Sequence, residues 1–375
     1  MTKFYSSDEA EFEFVQLKED IADETFQDKA IGFFKDAMMR FCRSKVSIIA
    51  FIGIIVILCM AIVMPMTSRW GYNDQDLNRI NLPPKMPVLE NVGILDGTRW
   101  LTKRRVDSLN DTTRYPEGCI LKVINHRNVQ GVEMCDIKVD YYKYSGLEDG
   151  TYFWMGTDYL GRDLWVRMWR GARVSLAIAF ISVICNVFIG IVYGSIAGYY
   201  GGKIDMIMMR LTEIIGSFPE IVVVTLFILF FGTGILSIIL CLVVQNWIGT
   251  ARMIRSQFYR YKGSEYVLAA RTLGVKDMAL IFRHILPNSI GPIITRAMIA
   301  IPGAIFTESF LAYIGLGIRA PESSIGVLLS QGQKVMQQYP NQVFFPAIVI
   351  SILMIAFNML SNGLRDAFDP TQRGA

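Results

Sequence analysis

Residues 174–198 read VSLAIAFISVICNVFIGIVYGSIAG, a run without a single charged side chain. A helix needs about 20 apolar residues to cross the roughly 30 Å of hydrocarbon in a bilayer. Because every backbone polar group must be satisfied inside lipid, a run of this kind predicts a transmembrane helix. The composition of the whole chain agrees, since its 375 residues are 52% hydrophobic and its mean hydropathy is +0.36.

Further apolar runs of similar length lie on both sides of this one. They cover residues 46–64, 214–231, 235–251, 293–314 and 343–360. Together the runs predict an all-α polytopic membrane protein with six transmembrane helices. The net charge of +4 gives no reason to expect nucleic acid as a partner. Two histidines and six scattered cysteines argue against a metal site.

The segments outside the apolar runs divide the rest of the chain. Residues 1–26 are polar and acidic, which is typical of a solvated tail. Residues 27–44 repeat apolar side chains at helical spacing, which suits an amphipathic helix on the membrane surface. The remaining divisions are a first span at 46–64 that ends at Pro65, an insert at 66–150, and a core domain with five spans at 152–371.

Basic residues in the short loops predict the orientation of the chain. The stretch after the fourth span is rich in Arg and Lys, whereas the loop at 316–342 holds only Arg319 and Lys334. The positive-inside rule therefore places residues 252–292 in the cytoplasm and the loop outside. Counting back, both termini are cytoplasmic and the insert is outside, in a multi-pass membrane protein.

The insert contains a β pattern. Residues 120–126 and 132–144 alternate apolar and polar side chains around a turn at 127–131, which predicts a hairpin. In a hairpin centred on Val129, Cys135 would not face Cys119, and misaligned cysteines cannot form a disulfide without backbone movement. This alignment argues against a disulfide but leaves the pairing open. We expect the helical bundle to fold without residues 75–148.

A cytoplasmic stretch at 264–288 reads SEYVLAARTLGVKDMALIFRHILPN. It predicts two short helices: Ser264 caps the first, Gly274 ends it in a left-handed conformation, and Pro287 stops the second. The small side chains of Ala269 and Ala270 would leave a flat patch where another protein can approach closely. A helical hairpin of this kind between two spans is typical of a docking element.

This stretch resembles the EAA loop of binding-protein-dependent ABC importer permeases. Its amino-acid sequence is similar to that of the C-type subunits in the oligopeptide, dipeptide and nickel branch of the family. Further motifs of that branch occur in order, from GTD at 156–158 and LGRD at 160–163 to IGLG at 314–317 and GLRDA at 363–367. The resemblance covers about 27–64 and 152–371. It implies the type I importer permease fold, a place in a bacterial plasma (inner) membrane, and an ATPase-coupling loop at 264–287 formed by Glu265, Ala269, Ala270, Arg271, Gly274, Leu286 and Pro287. The extracytoplasmic β-containing insert at 66–150 lies outside the resemblance.

The resemblance also implies partners and a mechanism. A second permease subunit would form the other half of the pathway, two P-loop ATPase subunits would dock on the coupling loops, and an extracytoplasmic binding protein would deliver a peptide. ATP and Mg would bind the ATPases, and this chain would carry no cofactor and no catalytic residue. The sequence itself has no G-x-x-x-x-G-K-[ST] phosphate loop.

Polar residues inside the apolar runs are the candidates for lining the pathway, because such groups are costly in lipid. They could equally have a structural role, in ion pairs or in hydrogen bonds that connect neighbouring helices. These candidates are Glu220, Gln245, Asn246 and Glu308.

Three other functions compete with peptide import. An ABC permease of the same class could carry nickel or another small solute. A self-contained secondary transporter would show inverted repeats and broken helices with ion sites. A membrane scaffold would keep its function when residues 264–287 are changed.

Overall fold

The structure, a computed structural model, describes residues 33–129 and 131–368. The acidic segment 1–26 and the first part of the predicted surface helix lie outside these residues. The described part of that helix is α1, Phe33–Arg43, which is followed by a first long helix, α2, Lys45–Thr67.

The remaining elements form a three-stranded sheet and a helical bundle. They are β1 (Thr98–Arg105), β2 (Ile120–Val129), β3 (Val132–Asp140), α3 (Tyr141–Tyr144), α4 (Leu164–Tyr200), α5 (Gly202–Gly216), α6 (Glu220–Phe231), α7 (Ile235–Tyr261), α8 (Glu265–Thr272), α9 (Asp277–Ala279), α10 (Ile290–Leu311), α11 (Ile325–Gln333) and α12 (Asn341–Phe368).

Five helical stretches of the described residues are long and apolar enough to cross a membrane, and a bent pair gives up to six spans. The bent pair is α5 and α6, which meet at an angle of 78°. The prediction of one continuous third span at 214–231 is therefore wrong. Pro219 explains the break, because proline disfavours helical backbone in the residue before it. As a result Glu220 begins α6 instead of lying inside a span.

Three other predicted helix ends are also displaced. Helix α2 continues through Pro65 to Thr67, since a proline in the last turn removes only one N–H group. Helix α7 extends ten residues beyond the predicted end of the fourth span, to Tyr261. Pro287 does not stop a helix, because a π-helical turn at Leu280–Ile285 and a 3-10 turn at Leu286–Ser289 carry the chain into α10.

Helices α4 and α7 pack closely along a row of glycines. A Cβ atom at Gly194 would lie 2.4 Å from the Ala251 carbonyl oxygen, and one at Gly198 would lie 2.6 Å from Phe258 Cβ. Gly190, one turn earlier, faces Thr250 in the same way. Small residues four apart let two membrane helices approach each other, so this row sets the spacing of α4 and α7.

A buried ionic cluster fastens the start of α4. Asp158 accepts a hydrogen bond from Arg162 Nε at 2.8 Å and another from Arg167, and all three side chains are at most 3% exposed. Arg167 also donates to Gln331 on α11 at 3.3 Å. Breaking a buried ion pair leaves an uncompensated charge, so this cluster holds the loop before α4 and α11 in one arrangement.

The insert forms an antiparallel sheet with strand order β1-β3-β2. The predicted hairpin corresponds to β2 and β3, whose turn contains Gly131 at φ +83°. Strand β1 was not predicted; it pairs with the free side of β3. One face of the sheet covers a small core around Ile137 and Val139.

The two cysteines of the insert are free thiols buried in this core. The Cys119 carbonyl accepts a hydrogen bond from Asp140 N–H, five residues along β3 from Cys135. Five residues of strand span about 16 Å, whereas disulfide-bonded Cα atoms lie within about 7 Å of each other. The register thus argues against a disulfide, and burial raises the pKa of both thiols.

Residues before the sheet are attached firmly to the bundle. Leu82 N–H donates to Thr157 Oγ1 at 2.8 Å, and Gln342 Nε2 donates to Asn81 Oδ1 at 2.8 Å. These contacts argue against the expectation that the bundle folds without residues 75–148. The sheet itself leaves and rejoins the rest of the chain at one place, because Thr98 at the start of β1 is paired with Asp140 at the end of β3.

We therefore expect that replacing residues 99–139 by two glycines leaves the bundle folded, because the ends to be joined already lie side by side. Deleting 75–148 should instead lower the thermal unfolding temperature in detergent, since it removes the partners of Thr157 and Gln342. Fluorescence-detected size exclusion and thermal unfolding of both variants test this. Equal behaviour of the two deletions would contradict it.

Candidate functional site

The stretch at 264–287 projects from the end of α7 that lies beyond the glycine contacts. Ser264 stands at the start of α8, but its hydroxyl donates to the Tyr261 carbonyl and does not cap the helix. Gly274 has φ +81°, which confirms the left-handed turn after α8. The Leu286 N–H donates to the Ile281 carbonyl, five residues back, and this wide turn accommodates Pro287, which has no N–H of its own.

One side of this stretch is buried against the bundle. Its inward side chains share a core with the ends of α4, α7 and α10; the core consists of Tyr199, Ile254, Phe258, Val267, Ala270, Leu280, Ile281, Ile285 and Ile293. The burial fixes α8 and the π-helical turn onto the end of α7.

Polar contacts add to this attachment. Tyr199 Oη donates to Asp277 Oδ1 at 2.6 Å, and Arg271 Nη2 donates to Tyr199 Oη at 3.4 Å. Tyr199 is the penultimate residue of α4. Its hydroxyl therefore connects this long helix to both halves of the helical hairpin at 264–287. Asn288 Nδ2 bridges the His284 carbonyl at 2.7 Å and Tyr266 Oη at 3.1 Å.

The other side of the stretch is an exposed apolar surface. Leu273 is 84% exposed and Met278 is 61% exposed, although both are large apolar side chains. We call this the docking surface, and its members are Tyr266, Leu268, Leu273, Met278 and Phe282. Large exposed apolar side chains on a segment that packs against the bundle are typical of a protein interaction site.

The predicted coupling residues fall on both sides. Glu265, Ala269, Arg271, Gly274 and Pro287 are exposed. The expected flat patch is only half correct, because Ala270 is 8% exposed and belongs to the buried core. Leu286 packs against the same core and does not reach the docking surface.

Two of the predicted pathway residues lie next to each other on α7 but have different surroundings. Gln245 Nε2 donates to the carbonyl oxygens of Ile215 at 3.1 Å and Phe218 at 2.8 Å. Gln245 therefore ties the break between α5 and α6 to α7. Asn246 donates to Leu242 in its own helix at 2.8 Å and lines a cavity of about 250 Å³ between α4, α7 and α10.

The two predicted carboxylates are far less alike. Glu308 is fully buried, and its Oε2 accepts a hydrogen bond from Ser175 Oγ on α4 at 2.9 Å. This contact joins two helices, which favours a structural role. Glu220 is exposed in the first turn of α6, where the helix dipole favours a negative charge.

Sequence reasoning missed four polar residues of the cavity: Asn186, Thr250, Arg296 and Thr307. Arg296 interrupts the apolar run of the fifth span and lines the cavity opposite Asn246. Asn186 on α4 contributes an amide that is 6% exposed. The charge of Arg296 within residues 293–314 was the available signal, since an ionised side chain at membrane depth is a functional candidate by default.

The described residues contain no group of three or more His, Cys, Asp or Glu side chains that could hold a metal ion.

Comparisons with known proteins agree with this architecture. Residues 190–374 match the family described as binding-protein-dependent transport system inner membrane component, and residues 32–84 match the N-terminal TM domain of oligopeptide transport permease C. The oligopeptide transport system permease protein OppC of Bacillus subtilis is 35% identical over 93% of this chain and 93% of its own length. The dipeptide transport system permease protein DppC of Lactococcus lactis is 35% identical over 96% of this chain and 97% of its own length.

The chain belongs to this ABC permease family. The OppC permease of Escherichia coli K12 is a further relative, 32% identical over 91% of this chain and 92% of its own length. A chain of the methionine ABC transporter MetNI, in an inward-facing conformation, matches with a TM-score of 0.45 and 19% identity over 54% of this chain and 96% of that chain. Its curated relatives and its family make the permease a multi-pass inner-membrane transport subunit and not an enzyme. Membership of the family implies ATPase and second-permease partners.

The left-handed turn of the permease provides a first test of the coupling site. Gly274→Val should lower ATP-driven uptake at least about fivefold, because a β-branched residue at positive φ costs about 1–3 kcal/mol. No atom lies within 4 Å of a Cβ at Gly274, so the effect would come from the backbone and not from a clash. Gly263→Val is the matched control, since Gly263 is equally open without positive φ. Normal uptake by the Gly274→Val permease would contradict the coupling assignment.

The tyrosine of α4 provides a second test. Tyr199→Phe removes the hydroxyl that contacts Asp277 and Arg271, and a net hydrogen bond is worth about 0.5–1.5 kcal/mol. We expect amide hydrogen exchange in residues 264–287 to accelerate by about three- to tenfold. The neighbouring Tyr200, which is 46% exposed, gives the control Tyr200→Phe. Equal exchange in both variants would show that the hydroxyl does not hold the hairpin.

Proposed function

We propose that this permease forms half of an ATP-driven import pathway for oligopeptides or dipeptides. The observation that carries the proposal is the docking surface, which exposes large apolar side chains on a segment that the bundle holds rigidly. The relatives support the substrate class, because they are named as oligopeptide and dipeptide transport permeases. The lining of the 250 Å³ cavity fits a peptide better than a metal cation, since it offers Arg296 and no Asp, Glu, His or Cys.

The coupling proposal assigns each partner a place. Two P-loop ATPase subunits, which bind ATP and Mg, would contact the coupling loops of this chain and of a second permease subunit. A binding protein would deliver the peptide on the side of the insert. Both termini would be cytoplasmic, because the basic end of α7 carries the docking surface.

Transport would proceed by alternating access. Closure of the ATPases on ATP would push the docking surface, and the buried core beneath it would transmit the movement to α4, α7 and α10. These three helices line the cavity, so the same movement would change its access from one side of the membrane to the other. Within this chain the roles of Glu265, Ala269 and Arg271 would be to shape the contact with the ATPase. Gln245 and Glu308 would hold helices in place, whereas Asn246 would face the solute and Glu220 would lie at the broken span.

Purification of the permease from its native membrane in mild detergent tests the proposal. We expect a second permease and P-loop ATPases to co-purify, as identified by mass spectrometry. Leu273→Asp should reduce the recovered ATPase about tenfold, because a charge would be buried at the contact, and should leave the second permease in place. The control is Leu77→Asp, since Leu77 is 78% exposed on the insert. Recovery of the permease alone would favour a self-contained transporter or a scaffold.

A further inference from the structure

The cavity between α4, α7 and α10 contains an unpaired cation. Arg296 lies at its wall, and in the described part of the chain no Asp or Glu forms an ion pair with this guanidinium. The cavity lining adds the amides of Asn186 and Asn246 and the hydroxyls of Thr250 and Thr307. An arginine has five N–H donors in a planar arrangement that matches a carboxylate with two parallel hydrogen bonds.

A buried acceptor without a partner belongs to one of the residues that line this cavity. Asn186 is 6% exposed, and its Nδ2 donates to the Leu242 carbonyl at 3.3 Å. Its Oδ1 is buried and has no hydrogen-bond partner among the described residues. An unsatisfied buried acceptor costs about 1–3 kcal/mol, and a bound group with an N–H donor would remove that cost.

The backbone of α7 leaves room for the guanidinium. A Cβ atom at Gly249 would lie 2.7 Å from Arg296 Nη2, and nothing outside this guanidinium comes within 4 Å of it. The missing side chain at residue 249 therefore lets Arg296 reach across to α7. The cation on α10 and the amide of Asn186 on α4 thus belong to one cavity, whose third wall is α7.

We propose that Arg296 binds the C-terminal carboxylate of the transported peptide, while Asn186 Oδ1 accepts a hydrogen bond from a nearby peptide N–H. The inference rests on the proposed function as a peptide importer. The volume of about 250 Å³ is below the roughly 300–1,000 Å³ of typical ligand pockets. The cavity therefore takes one end of a peptide. Its positive charge repels an α-ammonium group and selects the carboxylate end.

The test compares a peptide with its amide in the whole transporter. The permease complex with its partner subunits and binding protein is reconstituted in proteoliposomes with internal ATP, and uptake of radiolabelled trialanine and trialanine amide is measured. The ratio of acid to amide uptake is then compared between variants. Because the same binding protein serves every variant, its own preference cancels in this comparison.

We expect Arg296→Gln to lower the acid-to-amide ratio about tenfold, because a charged hydrogen-bond pair is lost. Arg252→Gln is the matched control, since Arg252 lies on α7 outside the cavity and should leave the ratio unchanged. Gly249→Ala keeps the charge of Arg296 and places a helix-favouring residue on α7. Its Cβ should displace the Arg296 guanidinium, so this variant should also lower the acid-to-amide ratio. Gly53→Ala on α2, where a Cβ is equally unobstructed, is its control.

The outcomes separate the two proposals. If the wild-type complex takes up neither peptide, the proposed function fails. If it takes up trialanine and the ratio is the same in the wild type, Arg296→Gln and Gly249→Ala, then the peptide function stands and the carboxylate site is overturned. A lowered ratio in either assembled cavity variant, with both controls unchanged, supports the site.

Discussion

The close contact between α4 and α7 determines where the working parts of the permease lie. Lipid supplies no hydrophobic force between helices, so packing of small residues must hold them together. The glycine row of α4 meets α7 at Thr250, Ala251 and Phe258, and the ends of the same two helices pack against the stretch at 264–287. A larger side chain in the row would separate the helices and would also disturb the cavity between them.

The apolar runs predicted the membrane-spanning elements because transfer into lipid depends mainly on composition over about 20 residues. Composition does not determine the direction of a helix axis. For this reason the 78° break between α5 and α6 was not predicted, although Pro219 marks its position in the sequence. Gly274 was predicted correctly because its backbone requirement is local. Strand β1 was missed because its sequence, TRWLTKRR, is basic and lacks a regular alternation.

The polar residues in the membrane show the same limit in more detail. Gln245 and Asn246 are adjacent, yet successive residues of a helix point about 100° apart. Gln245 therefore binds the broken span and lines a separate cavity, whereas Asn246 lines the cavity between α4, α7 and α10. Glu308 is an equally polar candidate, but its carboxylate accepts a hydrogen bond from Ser175 on α4. Tertiary packing fixes the rotation of each helix about its axis. That rotation decides which polar side chains bond to a neighbouring helix and which line a cavity.

The uninterrupted course of α7 has a mechanical consequence. If the centre of its contact with the glycine row, near residue 254, served as a fulcrum, the arm to Ile235 would measure about 28 Å and the arm to Tyr261 about 10 Å, at 1.5 Å per residue. A rigid rod with these arms would magnify a displacement nearly threefold. Under the proposed function, a small displacement at residues 264–287 would then become a larger displacement at the other end of α7, without any bending of the helix.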